Sequence, residues 1–309
     1  MRKILMLVLG ATLVAAATAP AWAGYLCVAD TSSRKGLMLF NPYDGSLVDS
    51  DWISMSADGC GNPVSARVVG PDEFWVTDKA NDQIMRYQLS TKVHLGDITN
   101  ANIVSPMGME VLGNTVYVAS NGSSLKKVAM LNALTYSVTG AFSTNLGAPW
   151  DVQLIDRGDG NGNRLLVDSG TTTGPKWNVD LYTLSGTFVE TIHQSTTSND
   201  YRQPQQMSVT PSNTILVASS VSPYGIWEYD AYGNYLADWR RTVTVRGVYP
   251  LGNGNIIFTD SNGVHVLDRA TGNVTDTFTG RSCNYIEAGV PEPASLWLLA
   301  AAIGVLRRR

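Results

Sequence analysis

Glu110, Asp151 and Asn284 carry the oxygen donors that a hard divalent cation prefers. Each stands at the start of a short strand-like segment, and so do Arg67, Gln206 and Arg246. If those starts converge, the set offers two chemistries. The carboxylates and amide could ligate a divalent cation, or the two guanidiniums could pair with the two carboxylates as a structural network. No catalytic residue is assigned. His94, His193 and His265 fall on segments away from these starts, which disfavours a histidine acid or base there. There is no Gly-x-Ser-x-Gly elbow and no His-Glu-x-x-His helix. The run Asp156 to Asn163, with glycines at 158, 160 and 162, lacks calcium-loop spacing and opens no helix. It reads as a hairpin turn, where Gly, Asn and Asp supply positive φ. Trp150, Tyr249 and Tyr285 near the same segment starts, and Trp177 and Tyr224 in polar loops, could stack on sugar rings or pack between strands.

The elements that must position these residues repeat. Six short β-branched segments end in a small or acidic residue: YLCVAD (25–30), FWVTD (74–78), VYVAS (116–120), LLVDS (165–169), ILVAS (215–219) and IIFTD (256–260). Their central residues, Val28, Val76, Val118, Val167, Val217 and Phe258, recur at intervals of 41 to 50 residues. A second strand, a turn and a third strand follow each anchor, and most anchors are preceded by another strand, as in 107–112 and 206–210. Four short strands per unit is the make-up of a propeller blade. Abundant glycine (29 residues) and the absence of long amphipathic helical patterns point the same way, to an all-β body.

The repeats resemble those of NHL-type six-bladed β-propellers, loosely but over the whole body; five or seven blades are the competing arrangements. The resemblance implies that the starts of the leading strands ring a central channel. The first repeat lacks its leading strand and one strand, 284–288 (NYIEA), is left over, so the ring closes if that strand becomes the innermost one of blade 1. Cys60 and Cys283 then precede neighbouring inner strands. A bridge between them would fasten the closure, at about 4–5 kcal/mol in the chain-entropy model; three free thiols, with Cys27 buried in a strand, are the alternative. A lactonase similar to the gluconolactonase family would hold its divalent cation in the channel, which nominates Glu110, Asp151 and Asn284.

The two ends are addresses. Arg2 and Lys3 precede an apolar run, and Ala21-Trp22-Ala23 makes a small-x-small site, so 1–23 is expected to be a signal peptide cut between Ala23 and Gly24. At the other end Pro291-Glu292-Pro293 is followed by a largely apolar run from Ala294 to Leu306 and by Arg307, Arg308 and Arg309. This order resembles the PEP-CTERM sorting signal, which an inner-membrane exosortase recognises. As a helix the run spans roughly 20 Å, short of a hydrocarbon core of about 30 Å, and the arginines would stay cytoplasmic. The expected organisation is a signal peptide (1–23), a β-propeller (24–289) and a sorting signal with a short transmembrane helix (290–309).

A net charge of −4 with 16% charged residues gives no footprint for nucleic acid. The expectation is an exported protein of the periplasm, cell envelope or extracellular matrix, anchored at least transiently in the inner membrane. It needs no cofactor and acts as a non-catalytic binding or scaffolding propeller. Its partners would be the exosortase and exopolysaccharide or envelope proteins. The alternative is the metal-dependent lactonase or hydrolase; a protein-interaction hub is a third possibility.

Overall fold

The computed structural model describes residues 24–122, 125–145, 147–170, 177–197 and 199–290. The expected signal peptide, the Pro291-Glu292-Pro293 motif, the apolar run and Arg307–Arg309 lie outside the described residues. Among those described there is no helix long and apolar enough to cross a membrane.

All described secondary structure is β, in six four-stranded antiparallel sheets. Blade 1 holds β1 (Tyr25–Asp30), β2 (Gly36–Phe40) and β3 (Leu47–Ser54). Blade 2 holds β4 (Pro63–Gly70), β5 (Glu73–Asp78), β6 (Gln83–Gln88) and β7 (His94–Thr99). Blade 3 holds β8 (Pro106–Leu112), β9 (Thr115–Ser120), β10 (Lys127–Asn132) and β11 (Val138–Ser143). Blade 4 holds β12 (Ala148–Asp156), β13 (Asn163–Gly170), β14 (Trp177–Tyr182) and β15 (Phe188–Ser195). Blade 5 holds β16 (Arg202–Val209), β17 (Ile215–Val221), β18 (Tyr224–Tyr229) and β19 (Tyr235–Arg241). Blade 6 holds β20 (Gly247–Pro250), β21 (Ile256–Thr259), β22 (Gly263–Leu267) and β23 (Val274–Thr279). The last strand, β24 (Cys283–Val290), is the inner strand of blade 1, in the order β24-β1-β2-β3. The body is therefore a six-bladed β-propeller, closed as the unpaired strand in the sequence requires.

Each anchor segment is the second strand of its blade, and its continuous apolar run has a geometric cause. Successive residues of a strand point to opposite faces, and here both faces meet a neighbouring blade. Leu26 and Val28 pack with Ile257, Val264 and Val266 of blade 6, while Cys27 and Ala29 pack with Phe74 and Val76 of blade 2. Phe74 and Val76 thus face back to blade 1, whereas Trp75 joins Val116 and Val118 on the blade 3 side. The same alternation runs round the ring, so the core is six inter-blade interfaces rather than one centre. Blade 1 depends on closure for its inner edge: β24 pairs antiparallel with β1, with Val28 opposite Ile286, Cys27 opposite Glu287 and Leu26 opposite Ala288.

The Cys60–Cys283 bridge is not formed; Cys27, Cys60 and Cys283 are all free and buried. The reason is radial. Cys60 turns into the interface between blades 1 and 2, beside Met55 and Leu89, whereas Cys283 lies in the interface between blades 6 and 1. Blade 1 stands between the two sulfurs. Burial pushes the Cys60 and Cys283 thiols up to about 12, which makes them unreactive. The glycine-rich run is the β12–β13 hairpin turn: Gly158, Gly160 and Gly162 have φ of 69, 81 and 67°, and Asp156 accepts a hydrogen bond from the Gly158 amide at 2.9 Å.

Ile286 is fully buried at the closing strand. Ile286→Ala should cost about 2–5 kcal/mol in urea unfolding of the full-length chain. Val274→Ala, on the exposed outer strand of blade 6, should change stability by less than about 0.5 kcal/mol. Equal effects would mean that β24 does not carry the closure.

Candidate functional site: the central channel and its mouth

The inner strands β4, β8, β12, β16, β20 and β24 line the channel. Their first residues form one mouth; residues further along lie deeper. The six sequence candidates separate by depth. Arg246 and Asn284 stand at the mouth, Gln206 and Asp151 below it, and Arg67 and Glu110 deeper still.

The deep level is an ion-pair and hydrogen-bond network closed on itself. One Arg67 nitrogen, Nη2, lies 3.0 Å from Glu110 Oε2 and 2.9 Å from Glu287 Oε2, and donates to Gln153 Oε1 at 3.3 Å. Arg67 Nε donates to the Met109 carbonyl at 2.9 Å. The second Glu110 oxygen accepts the Val111 amide at 2.8 Å, and the second Glu287 oxygen accepts the Ser65 hydroxyl at 2.7 Å. Gln153 carries the network on by donating to Asp151 Oδ2 at 3.1 Å. Asp151 is fully buried and also accepts the amides of Val152 and Met207, each at 2.8 Å. It thereby ties blade 4 to blade 5. It also fixes Gly108 of blade 3, where a Cβ would lie 1.8 Å from Asp151 Oδ1. Gln206 does the same for blades 6 and 1: Oε1 accepts the amides of Val248 (3.1 Å) and Ile286 (2.9 Å), and Nε2 donates to the Ile286 carbonyl (2.6 Å).

This geometry does not gather the candidate cation ligands. Glu110 and Asp151 are linked only through Arg67 and Gln153, and both oxygens of each carboxylate already accept protein donors. Asn284 takes no part; its Nδ2 donates to the Pro63 carbonyl at 2.7 Å and to Asn62 Oδ1 at 3.3 Å. Among the described residues no group of three or more His, Cys, Asp and Glu is placed to hold a metal ion. The histidines stay peripheral, His94 and His193 on outer strands and His265 on β22. Each meets an aspartate: Asp97 at 2.8 Å, Asp200 at 2.6 Å and Asp260 at 3.1 Å.

Burial sets the electrostatics of the deep level. It pushes Glu287 up to about 7, although Arg67 and the Ser65 hydroxyl pull the other way. It also raises Asp151, helped by the negative field of Glu287 and Asp168 and opposed by the Met207 amide and Gln153. Asp168, buried behind them, is raised by burial against the Asp151 and Trp150 amides that it accepts.

The mouth has a different character. It is a cavity of about 470 Å³ lined by polar and cationic side chains, among them Lys35, Lys79, Arg246, Asn62, Gln205 and Asn284. No described lining residue is a carboxylate. The nearest acids are spent elsewhere: Asp30 pairs with Arg281 at 2.7 Å, and Asp78 accepts the Gly61 and Asn62 amides at 3.0 and 2.8 Å. Arg246 Nη1 donates to Ser282 Oγ at 2.8 Å and to the Cys283 carbonyl at 3.4 Å. Lys79 Nζ sits 5.1 Å from the centroid of the Trp150 ring. Of the other aromatic candidates, Tyr285 is buried and donates to the Trp150 carbonyl at 3.1 Å, and Trp177 is buried between blades 4 and 5.

Sequence reasoning missed Glu287, Ser65, Lys35 and Lys79. Glu287 stands three residues beyond Asn284 on the same inner strand. Lys79 is the first residue beyond the acidic end of the FWVTD anchor. The residue after the anchor borders the mouth in blades 1 and 2, as Thr31 and Lys79.

No protein-family model and no curated protein sequence matches the chain. Solved structures do match its fold. A chain in the crystal structure of a nidogen/laminin complex superposes with a TM-score of 0.67 at 15% identity, covering 85% of this chain and 97% of that one. The WD40 β-propeller domain of Doa1 gives 0.57 at 14% identity, covering 83% and 79%. A chain of Kuenenia stuttgartiensis hydrazine synthase gives 0.53 at 15% identity, covering 71% and 65%. The fold and its channel define the class: an all-β six-bladed propeller. At these identities the likeness speaks for fold alone.

Because Glu287, Asp151 and Asp168 hold protons more tightly folded than unfolded, each loses stabilisation as pH rises from its unfolded value through its folded one. For Glu287 that window runs from about 4.5 to about 7. Surface acids such as Asp72, lowered despite some burial by hydrogen bonds from Gln88 and Ser90, act oppositely and only below the ordinary aspartate value. The melting temperature should therefore fall between pH 5 and 7, and Glu287→Gln should flatten that fall. An unchanged slope in the variant would show that Glu287 is ionised throughout.

Proposed function

We propose that the protein is a non-catalytic binding or scaffolding propeller of the cell envelope or exopolysaccharide matrix. In this reading residues 1–23 export it, and the Pro291-Glu292-Pro293 tail delivers it to an exosortase. The observation that carries the binding role is the contrast along the channel. The deep carboxylates of Glu110, Glu287 and Asp151 are saturated by the protein's own donors, whereas the mouth is an open polar cavity whose cations make no ion pair among the described residues. A cavity of this size lies in the range of small-ligand sites, and its polar lining suits a hydroxyl-rich molecule better than an apolar one.

The direction of β24 supports the placement. The strand of eight residues begins at the mouth with Cys283 and ends at Val290, at the opposite face. At about 3.4 Å per residue those ends are roughly 25 Å apart. A chain held in a membrane through the segment after Pro291 would sit with its far face toward the bilayer. Its mouth would open away from the bilayer, toward matrix polymer. The lactonase reading draws no comparable support, since Glu110 and Asp151 have no uncommitted carboxylate oxygen.

Calorimetric titration of the full-length protein, in non-ionic detergent, with the host's purified exopolysaccharide checks this. Saturable heat that is the same with and without EDTA is expected. Absence of polymer heat, together with a large fall in melting temperature in EDTA, would contradict the reading and favour a bound cation.

A further inference from the structure

The mouth concentrates positive charge without answering it. Lys79, from the β5–β6 turn of blade 2, and Arg246, from the lead-in to β20 of blade 6, both line the cavity and lie close enough for Arg246 to bear on the Lys79 charge, and Lys35 of blade 1 adds a third cation to the wall. Lys35 is turned aside, donating to the Thr31 carbonyl at 2.7 Å. Neither Lys79 nor Arg246 has an acidic partner among the described residues. Burial, and next the charge of Arg246, hold the Lys79 ammonium below the ordinary lysine range. Two half-buried like charges with no counter-ion are a standing electrostatic cost, which an anion between them would remove. Several other half-buried arginines are paired, Arg67 with Glu110 and Glu287, Arg86 with Glu73, and Arg281 with Asp30, while Arg202 and Arg241 meet no acid among the described residues. Of the unpaired arginines, Arg246 lines the cavity at the channel mouth, where a ligand can reach it.

We propose that the channel mouth binds the carboxylate of an acidic sugar residue in a polymer, held by Arg246 and Lys79. This deepens the binding function above and rests on it. The planar Arg246 fork suits a carboxylate in two-point contact, while Lys79 supplies a point charge. Asn284, whose Nδ2 is committed to Pro63 and Asn62, and Gln205, which donates to Ser220 Oγ at 3.2 Å, line the wall with side-chain amides whose oxygens can accept from sugar hydroxyls. The Trp150 face lies beneath the Lys79 ammonium. The cavity holds more than a lone oxyanion, which favours a sugar unit over a small ion.

The probes are oligogalacturonate, neutral maltohexaose, galacturonate monomer and inorganic phosphate, titrated into the full-length chain at low and high salt. Oligogalacturonate should bind at least tenfold tighter than maltohexaose and weaken as salt rises. The double variant Lys79→Met/Arg246→Met should lose at least tenfold for oligogalacturonate. Lys92→Met, on an outer turn away from the mouth, should change nothing, and Lys79→Arg should retain binding. Equal affinity for maltohexaose would overturn the charge-based proposal and leave the broader binding function standing. Retention of affinity in the double variant would move the site off the mouth. Phosphate or monomer binding as tightly as the oligomer would reveal a small-oxyanion site and overturn the polymer reading. Binding of neither the oligomers nor the host polymer would remove both readings together.

Discussion

The pairing of β24 with β1 is the constraint on which the rest depends. An inner strand supplied by the far end of the chain turns six blades into a closed ring and leaves no inner edge unpaired. It also completes the channel. Glu287 enters the Arg67 network through this strand, the Gln206 side chain clamps blades 5 and 6 to its backbone at Ile286, and Ser282, just before the strand, receives a hydrogen bond from Arg246. Without the closing strand the deep network would lose an acid and the mouth would lose part of its wall.

Along that channel, polar groups serve two ends. In the deep part Arg67 meets Glu110 and Glu287, and Asp151 meets the Met207 amide, each from another blade, so the network works as a pin through the ring. Such a pin adds specificity of assembly more than net stability, since burying the acids carries a desolvation cost that raises Glu287 and Asp151. At the mouth the balance is reversed. Lys79 and Arg246 sit in a cavity whose nearest acids, Asp30 and Asp78, are already committed. This contrast between a paired interior and a cationic opening is what the proposed binding of an anion at the mouth rests on.

The blade architecture was legible because its cause is local: the anchor strands are buried on both faces, so YLCVAD and its five counterparts stand out as unbroken apolar runs at a near-constant interval. Closure was legible from one missing and one surplus strand. The cysteines were not, because strand position gives height along the axis but not the side of the blade a sulfur faces. Cys60 and Cys283 share a level and are separated by blade 1. The channel residues were legible in kind but not in pairing. The sequence places Arg67 and Glu110 on one channel and leaves both cation ligation and ion pairing open to them. Their commitment to each other is set by Glu287 and Gln153, which the sequence places 220 and 86 residues from Arg67. Lys79 was overlooked because it follows an anchor strand instead of opening an inner one.

A crystal structure of the protein grown with an acidic oligosaccharide tests the central claim most directly. The account predicts a sugar carboxylate seated between Arg246 and Lys79 at the channel mouth, with the Arg67–Glu110–Glu287 network undisturbed beneath it. A sugar bound on the outer hairpins with the mouth empty, or one that enters the deep channel and displaces Arg67 from its acids, would contradict it.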